Sequence, residues 1–210
     1  MSLRSALYRA STGFRGLRDR ALYPEAPSAG EQWQRVALDR AVDARIAALD
    51  PSSCSAVEIS GENHAGRPWR KYTSLSFPDF DLCAPLETTE TFDVVICEQV
   101  LEHVVDPGAA VANLTLLCEP GGMVIVSTPF LVKIHEIPYY MLDYWRFTPR
   151  GLQVLLEGAG LEVETVESWG NRQSVAGNIK GWSAYRRWHS LANEPDVPLQ
   201  VWAFARRPAD

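Results

Sequence analysis

The chain has 210 residues, 46% of them hydrophobic and 22% charged, with a formal net charge of −6; this is an ordinary globular composition with enough chain for one sizeable core. The negative balance argues against nucleic acid held on a broad basic face, and no apolar run approaches the ~20 residues needed to span a bilayer. Cys54, Cys83, Cys97 and Cys118 lie apart without CxxC spacing, which favours buried reduced thiols and a cytoplasmic address over a secreted one.

The first twenty residues hold Arg4, Arg9, Arg15, Arg18 and Arg20 against one acid, Asp19. Such a stretch reads either as an arm packed over the domain or touching substrate, or as a transit peptide or basic surface helix. Residues 22–30 form a loop by their Pro, Ser and Gly content. From Glu31 to Leu49, Trp33, Val36, Ala37, Ala41, Ile46 and Leu49 recur near helical spacing. Ala56–Ile59 reads as a short strand ended by Ser60-Gly61-Glu62, and Lys71–Phe77 as a second. Pro78-Asp79 separates the latter from Phe80-Asp81-Leu82-Cys83, so the crossover helices here are trimmed.

The most regular stretch follows. Val94–Cys97 has strand length and β-branched composition, and Glu98-Gln99 ends it. A helix follows Pro107, with Ala110, Val111, Leu114 and Leu117 on its apolar face. Pro120-Gly121-Gly122 turns the chain into a second run, Met123–Ser127, stopped by Pro129. Strand, helix, turn and strand make a βαβ unit, which belongs to a parallel sheet. Ligands bind beyond the carboxyl ends of such strands. That places Glu98, Gln99, Glu102 and His103 at one candidate site edge and Thr128 to His135 at another. Thr148-Pro149 opens a further helix, stopped by Gly158-Ala159-Gly160. Leu161–Val166 alternates as a strand, residues 171–192 read as a helix carrying Trp182, Tyr185 and Trp188, and Pro198–Arg206 supplies a last strand.

The segments FDVVICEQVLEHVVDP, EPGGMVIVSTPF and YWRFTPRGLQVLLEGAGLEV resemble the second half of a class I S-adenosylmethionine-dependent methyltransferase, with similarity over residues 54–206. The resemblance implies a three-layer, Rossmann-like α/β fold with a mostly parallel seven-stranded sheet and an antiparallel last strand. That domain is expected over 51–210, behind an N-terminal arm and lid helix at 1–50; the helix could equally cover a sheet face. S-adenosylmethionine is the implied cofactor. Glu58 then stands where the family's acid meets the methionine end, and Gly61 where a glycine allows close backbone approach; Ser60 and Glu62 depart from the E-x-G-x-G pattern. Ser76 stands about where the family carries an acid for the ribose, a weaker contact for a hydroxyl. Asp81 falls on the adenine side, or merely caps a turn. Glu98 and Gln99 fall on the cofactor, and Trp69 closes the pocket where a crossover helix is missing.

The Glu102-His103 pair resembles a branch that includes O-methyltransferases of quinone biosynthesis. Similar residues hold magnesium in small-RNA 2′-O-methyltransferases, where a glutamate stands in place of Gln99. The amide lowers the appeal to a hard dication, so magnesium on Glu102, His103 and His135 is possible but not favoured, and no metal ligand is assigned. Methyl transfer to a hydroxyl needs in-line placement and a base. His135 is the first choice and His103 the second, against plain roles as loop residue and helix cap. Tyr139, Tyr140, Tyr144 and Arg146 are candidate substrate contacts, unless Arg146 pairs with Asp143 and the aromatics only pack the loop. The expected reaction is methyl transfer to a small molecule, a hydroxyl of a sugar or secondary metabolite. A monomer or homodimer is expected, with no nucleic-acid partner and no stable membrane insertion. The alternative is a methyltransferase fold that has lost turnover and serves as a partner subunit.

Overall fold

The computed structural model of the chain describes residues 31–136, 141–179 and 181–209. The Arg-rich start, Tyr139 and Tyr140 lie outside the described residues. The chain divides into two compact units. The larger holds Val42–Phe130, Ile134–Glu167 and Val201–Asp210; the smaller holds the described residues up to Ala41, Leu131–Lys133 and Ser168–Gln200. The boundary expected at residue 50 falls inside the larger unit.

The chain runs through α1 (Val36–Ala48), β1 (Ser55–Ile59), β2 (Lys71–Leu75), β3 (Phe92–Glu98), α2 (Pro107–Leu117), β4 (Cys118–Pro129), α3 (Pro149–Gly158), β5 (Glu162–Trp169), α4 (Arg172–Asn178) and β6 (Gln200–Arg206). One six-stranded sheet has the order β2-β1-β3-β4-β6-β5. β1 pairs in parallel with β2 and with β3, and β3 in parallel with β4; one strand of the sheet is antiparallel. Val95, Ile96 and Cys97 of β3 are fully buried, the continuous apolar run that a central strand covered on both faces requires. Asp106 caps α2 by accepting from Ala109 N at 3.0 Å, with Pro107 in the first turn. The helix then buries Ala110, Val111, Leu114 and Leu117. The same device starts α3, where Thr148 Oγ1 accepts from Gly151 N at 3.0 Å.

Among the described residues the sheet has six strands rather than the expected seven. The stretch Phe80–Cys83, between β2 and β3, forms no strand, and its backbone is satisfied elsewhere. Cys83 N donates to Asp81 Oδ1 at 2.9 Å and Ala84 N to Asp81 O at 3.1 Å, an Asx-type turn. The carbonyls of Leu82 and Ala84 accept from Asn113 Nδ2 on α2, at 2.8 and 2.7 Å. This segment therefore hangs from a helix, not from a neighbouring strand. No helix connects β1 to β2 or β2 to β3, as the trimmed spacing implies.

The turn at Pro120-Gly121-Gly122 is absorbed into β4. Gly121 N donates to Arg207 O at 2.8 Å and Arg207 N to Gly122 O at 3.1 Å, while the pairing with β3 shifts between Phe92 and Val94. The second half of α1 covers the sheet. Arg45 stacks its guanidinium 4.6 Å from the Phe204 ring centroid and bonds Glu164 at 2.6 Å. All four cysteines are free. Burial pushes the thiols of Cys97 and Cys118 well up, the latter to about 12, so neither is a nucleophile at neutral pH.

In the smaller unit the helix expected over residues 171–192 ends at Asn178. Asn178 Oδ1 accepts from Ser183 N at 2.9 Å, and Ser183 Oγ donates to Gly177 O at 2.7 Å, which closes the helix end. Trp182, Tyr185 and Trp188 therefore lie beyond α4. The centre of this unit is Trp33, stacked on His189 at 3.9 Å between centroids and donating Nε1–H to Ser190 O at 3.0 Å. Burial and then the Arg186 charge push the His189 imidazole down to about 4, so it stacks as a neutral ring.

A Cβ on Gly122 would lie 2.9 Å from both Asp93 O and Glu119 O, whereas one on Gly158 would meet nothing within 4 Å. Gly122→Ala is expected to lower unfolding free energy by about 1–3 kcal/mol and Gly158→Ala to change it by less than about 0.5 kcal/mol. Urea denaturation of the two variants checks this.

Candidate active site

The carboxyl ends of β1, β3 and β4 come level, with Ile59 opposite Cys97 and Glu98 opposite Ser127. The residue immediately after β1, Ser60, and the residue after β3, Gln99, both have φ of 57°. Left-handed backbone at a non-glycine residue costs about 1 kcal/mol or more and persists only where surroundings fix it. Here Ser60 N is held by Leu75 O and Gln99 N by Ser127 O, each at 2.8 Å. The Gln99 side chain adds a bond to Ser127 Oγ at 3.0 Å. Both strained residues line one cavity of about 480 Å³, with Phe77, Asp81, His103 and Tyr144 also on its wall. That volume suits a small ligand.

Beside this cavity, loop 61–70 is fastened to the strand ends. Glu58, 1% exposed, accepts from the amides of Asn63 and His64 at 3.0 Å each and from Tyr72 Oη at 2.7 Å. Gly61 is required by this approach, because a Cβ there would lie 2.6 Å from Glu58 Oε1. Burial first, then the bond and charge of Glu58, push the Tyr72 hydroxyl far up, so it remains a donor. His64 Nε2 lies 2.9 Å from Glu98 Oε2, both side chains buried. Trp69 Nε1 donates to His64 O at 2.9 Å; the indole pins the loop and is not on the cavity wall.

The short 3₁₀ turn Leu101–His103 carries Glu102, which is fully buried, and His103, which lines the cavity. His103 Nδ1 lies 2.7 Å from Leu142 O, a carbonyl that only accepts, so Nδ1 carries the proton and Nε2 the lone pair. Burial, the largest influence, lowers the His103 pKa. The Leu142 carbonyl and Asp143 push it up and the His135 and Arg146 charges push it down, with the net shift downward. His135 stands behind it, ring centroids 5.0 Å apart and edge-on. His135 Nδ1 lies 3.1 Å from Asp143 Oδ2, and its amide donates to the same oxygen at 2.9 Å. Arg146 takes both Asp143 oxygens, with Nη2 at 2.6 Å from Oδ2. Burial raises the Asp143 pKa, but these bonds and charges outweigh it and hold the carboxyl below its usual range.

The structure thus distributes the expected residues that it describes over four places. Asp81, Gln99, His103 and Tyr144 share the cavity wall, Asp81 also capping its turn. Glu58, Gly61 and Glu98 build the loop clamp beside it. Ser76, one residue past β2, is exposed and off that wall, its carbonyl bonded to Phe80 N at 3.0 Å. Of the two candidate bases, His103 is the wall residue, and His135 and Arg146 form a supporting layer with Asp143. His64 and Tyr72 join the site without any motif to announce them.

Glu102, His103 and His135 offer ligand atoms all within 4.8 Å of one another. Two imidazoles and one carboxylate suit a transition metal or zinc rather than magnesium, which prefers oxygen ligands. The magnesium possibility therefore does not fit this donor set.

A family model described as a methyltransferase domain matches residues 30–166. The chain belongs to the methyltransferase-domain family. By that match and by fold it is a class I S-adenosylmethionine-dependent methyltransferase. It is 29% identical over 166 residues to an O-methyltransferase of ubiquinone biosynthesis from Thiobacillus denitrificans, covering 70% of this chain and 72% of that protein. It is 35% identical over 91 residues to the enzyme of that name from Aeromonas salmonicida, covering 37% and 38%. Among solved structures, the [4+2]-cyclase SpnF is similar with a TM-score of 0.55 at 13% identity, over 98% of this chain and 96% of that one. A Burkholderia thailandensis 1,6-didemethyltoxoflavin-N1-methyltransferase, solved with its substrate and S-adenosylhomocysteine, gives 0.53 at 15% identity, over 98% and 89%. A cyclase beside a methyltransferase means that these likenesses speak for the fold alone. Among the described residues no helix is long and apolar enough to cross a membrane.

Because the Asp143 carboxyl is depressed in the folded chain, its stabilising contribution is present above the unfolded value near 3.9 and is lost as pH falls through the folded value. Asp143→Asn is expected to cost about 2 kcal/mol at pH 7, a difference that shrinks below pH 4. Denaturation of both chains from pH 7 to 3 measures it.

Proposed function

We propose that the chain transfers the methyl group of S-adenosylmethionine to a hydroxyl of a small molecule bound in the cavity, with His103 taking the proton. The observation that carries this reading is His103 itself. It lies on the cavity wall with its tautomer fixed by Leu142 O, and burial keeps it neutral near pH 7. The S–CH3 bond breaks, the O–CH3 bond forms, S-adenosylhomocysteine leaves, and the hydroxyl proton passes to His103 Nε2. The names of the relatives, O-methyltransferases, support oxygen as the acceptor atom. Phe77, Phe80, Leu82 and Val100 on the wall favour a hydroxylated ring or secondary metabolite over a sugar. Tyr144 supplies an aromatic face for such a ring. The cofactor contacts fall to Asp81 and Gln99 from the wall and to Glu58 and Glu98 from the clamp.

A second reading rests on Glu102. Its carboxylate is fully buried, and Oε1 lies 3.6 Å from His103 Nε2. The repulsion between a lone pair and a carboxylate oxygen is relieved by a proton or by a metal ion between them. A cation of zinc or manganese type on Glu102, His103 and His135 would serve in the second way. Both imidazoles are oriented through Nδ1, by Leu142 O and by Asp143, the outer support typical of metal-bound histidines. The two readings compete for one lone pair of His103.

His103→Gln is expected to reduce turnover about 100-fold or more while leaving cofactor affinity within about twofold. The wild-type rate should fall on acidification with a midpoint below 6.5, the ordinary histidine value, since only the neutral ring accepts a proton. If the base reading holds, activity survives exhaustive chelation. Loss on chelation with recovery on added zinc or manganese would replace it with the cation reading.

A further inference from the structure

We infer that His64 is a positioning residue for the cofactor, holding Glu98 toward the amino-acid end of S-adenosylmethionine; this rests on the methyl-transfer reading above. His64 is 6% exposed, on a loop with no regular secondary structure. Its Nδ1 lies 3.2 Å from Arg67 Nε. A guanidinium can only donate, so Nδ1 is the lone-pair nitrogen and Nε2 carries the proton. Nε2–H therefore donates to Glu98 Oε2 at 2.9 Å. Arg67 is itself held by Asp43, so the tautomer of His64 is set from outside the site.

The backbone of the same residue does separate work. Its amide donates to Glu58 Oε2 at 3.0 Å, and its carbonyl accepts from Trp69 Nε1 at 2.9 Å. One residue thus ties the carboxyl end of β1 to that of β3, next to the two strained residues that enter the cavity wall. Glu58 and Glu98 stand at adjacent strand ends, and a carboxylate in a buried setting attracts a cation more strongly than one in water. The sulfonium and α-ammonium of S-adenosylmethionine are such cations, and the α-ammonium is also present in S-adenosylhomocysteine. A loop that needed only filling would take an apolar side chain at this position, because a buried polar network is costly unless fully satisfied.

The test compares S-adenosylhomocysteine with 5′-methylthioadenosine, which lacks the amino-acid portion, by calorimetric titration of the full chain. His64→Leu is expected to weaken S-adenosylhomocysteine about tenfold or more and methylthioadenosine by less than about twofold. His64→Gln, whose side-chain N–H2 can replace the Nε2 donor, should recover most of the loss. Arg67→Met should shift only S-adenosylhomocysteine, in the same direction and by less, and it carries the test if His64→Leu does not fold. Equal weakening of both ligands, or no change in either, would overturn the inference and leave His64 a loop residue. Failure of the wild-type chain to bind either ligand would overturn the methyl-transfer reading itself.

Discussion

The Glu58 carboxylate, buried at the end of β1, is the interaction on which the site depends. It gathers the amides of Asn63 and His64 and the Tyr72 hydroxyl, taking the place of a helix N-terminus that this chain lacks between β1 and β2. Three donors on one carboxyl group satisfy most of its acceptor capacity, as its burial requires. The consequence is geometric. With the loop drawn down by Glu58, His64 reaches Glu98 beside the strand ends at Ser60 and Gln99, which Leu75 O and Ser127 hold in the left-handed region.

The opposite wall is built by different means. His103 sits on a single 3₁₀ turn whose carbonyl at Glu102 accepts from Tyr144 N at 2.7 Å. The loop that carries Leu142, Asp143 and Tyr144 is thereby fastened back onto the strand end that it serves. Asp143 then orients His135, and Arg146 holds Asp143. The site has a polar, charged clamp on one side and an imidazole on an apolar wall on the other.

Much of this was legible in the sequence where local rules decide. β3, α2 and β4 follow from an apolar run, a capped and proline-started helix, and a glycine turn, each signal lying within a few residues of its effect. The strand ends at Glu98 and Gln99 followed from the same spacing. The path of the Phe80–Cys83 stretch was not legible, because Asn113, which holds its carbonyls, lies about thirty positions away and nothing near the stretch in sequence signals that bond. The helix expected across residues 171–192 failed for a similar reason, since Asn178 and Ser183 close it through side chains. His64 carried no motif: its role appears only when a loop without secondary structure crosses to an acid 34 positions on. The order of the two histidines was also beyond sequence reasoning, because which ring reaches the wall depends on the path of residues 141–144.

Calorimetric titration of the unaltered chain with S-adenosylmethionine tests the central claim most directly. Saturable binding at micromolar concentration is the predicted result, and it would place a competent cofactor beside His103. No heat up to millimolar ligand, with no thermal shift at the same concentration, would contradict it and mark the chain as a methyltransferase fold that serves as a partner subunit.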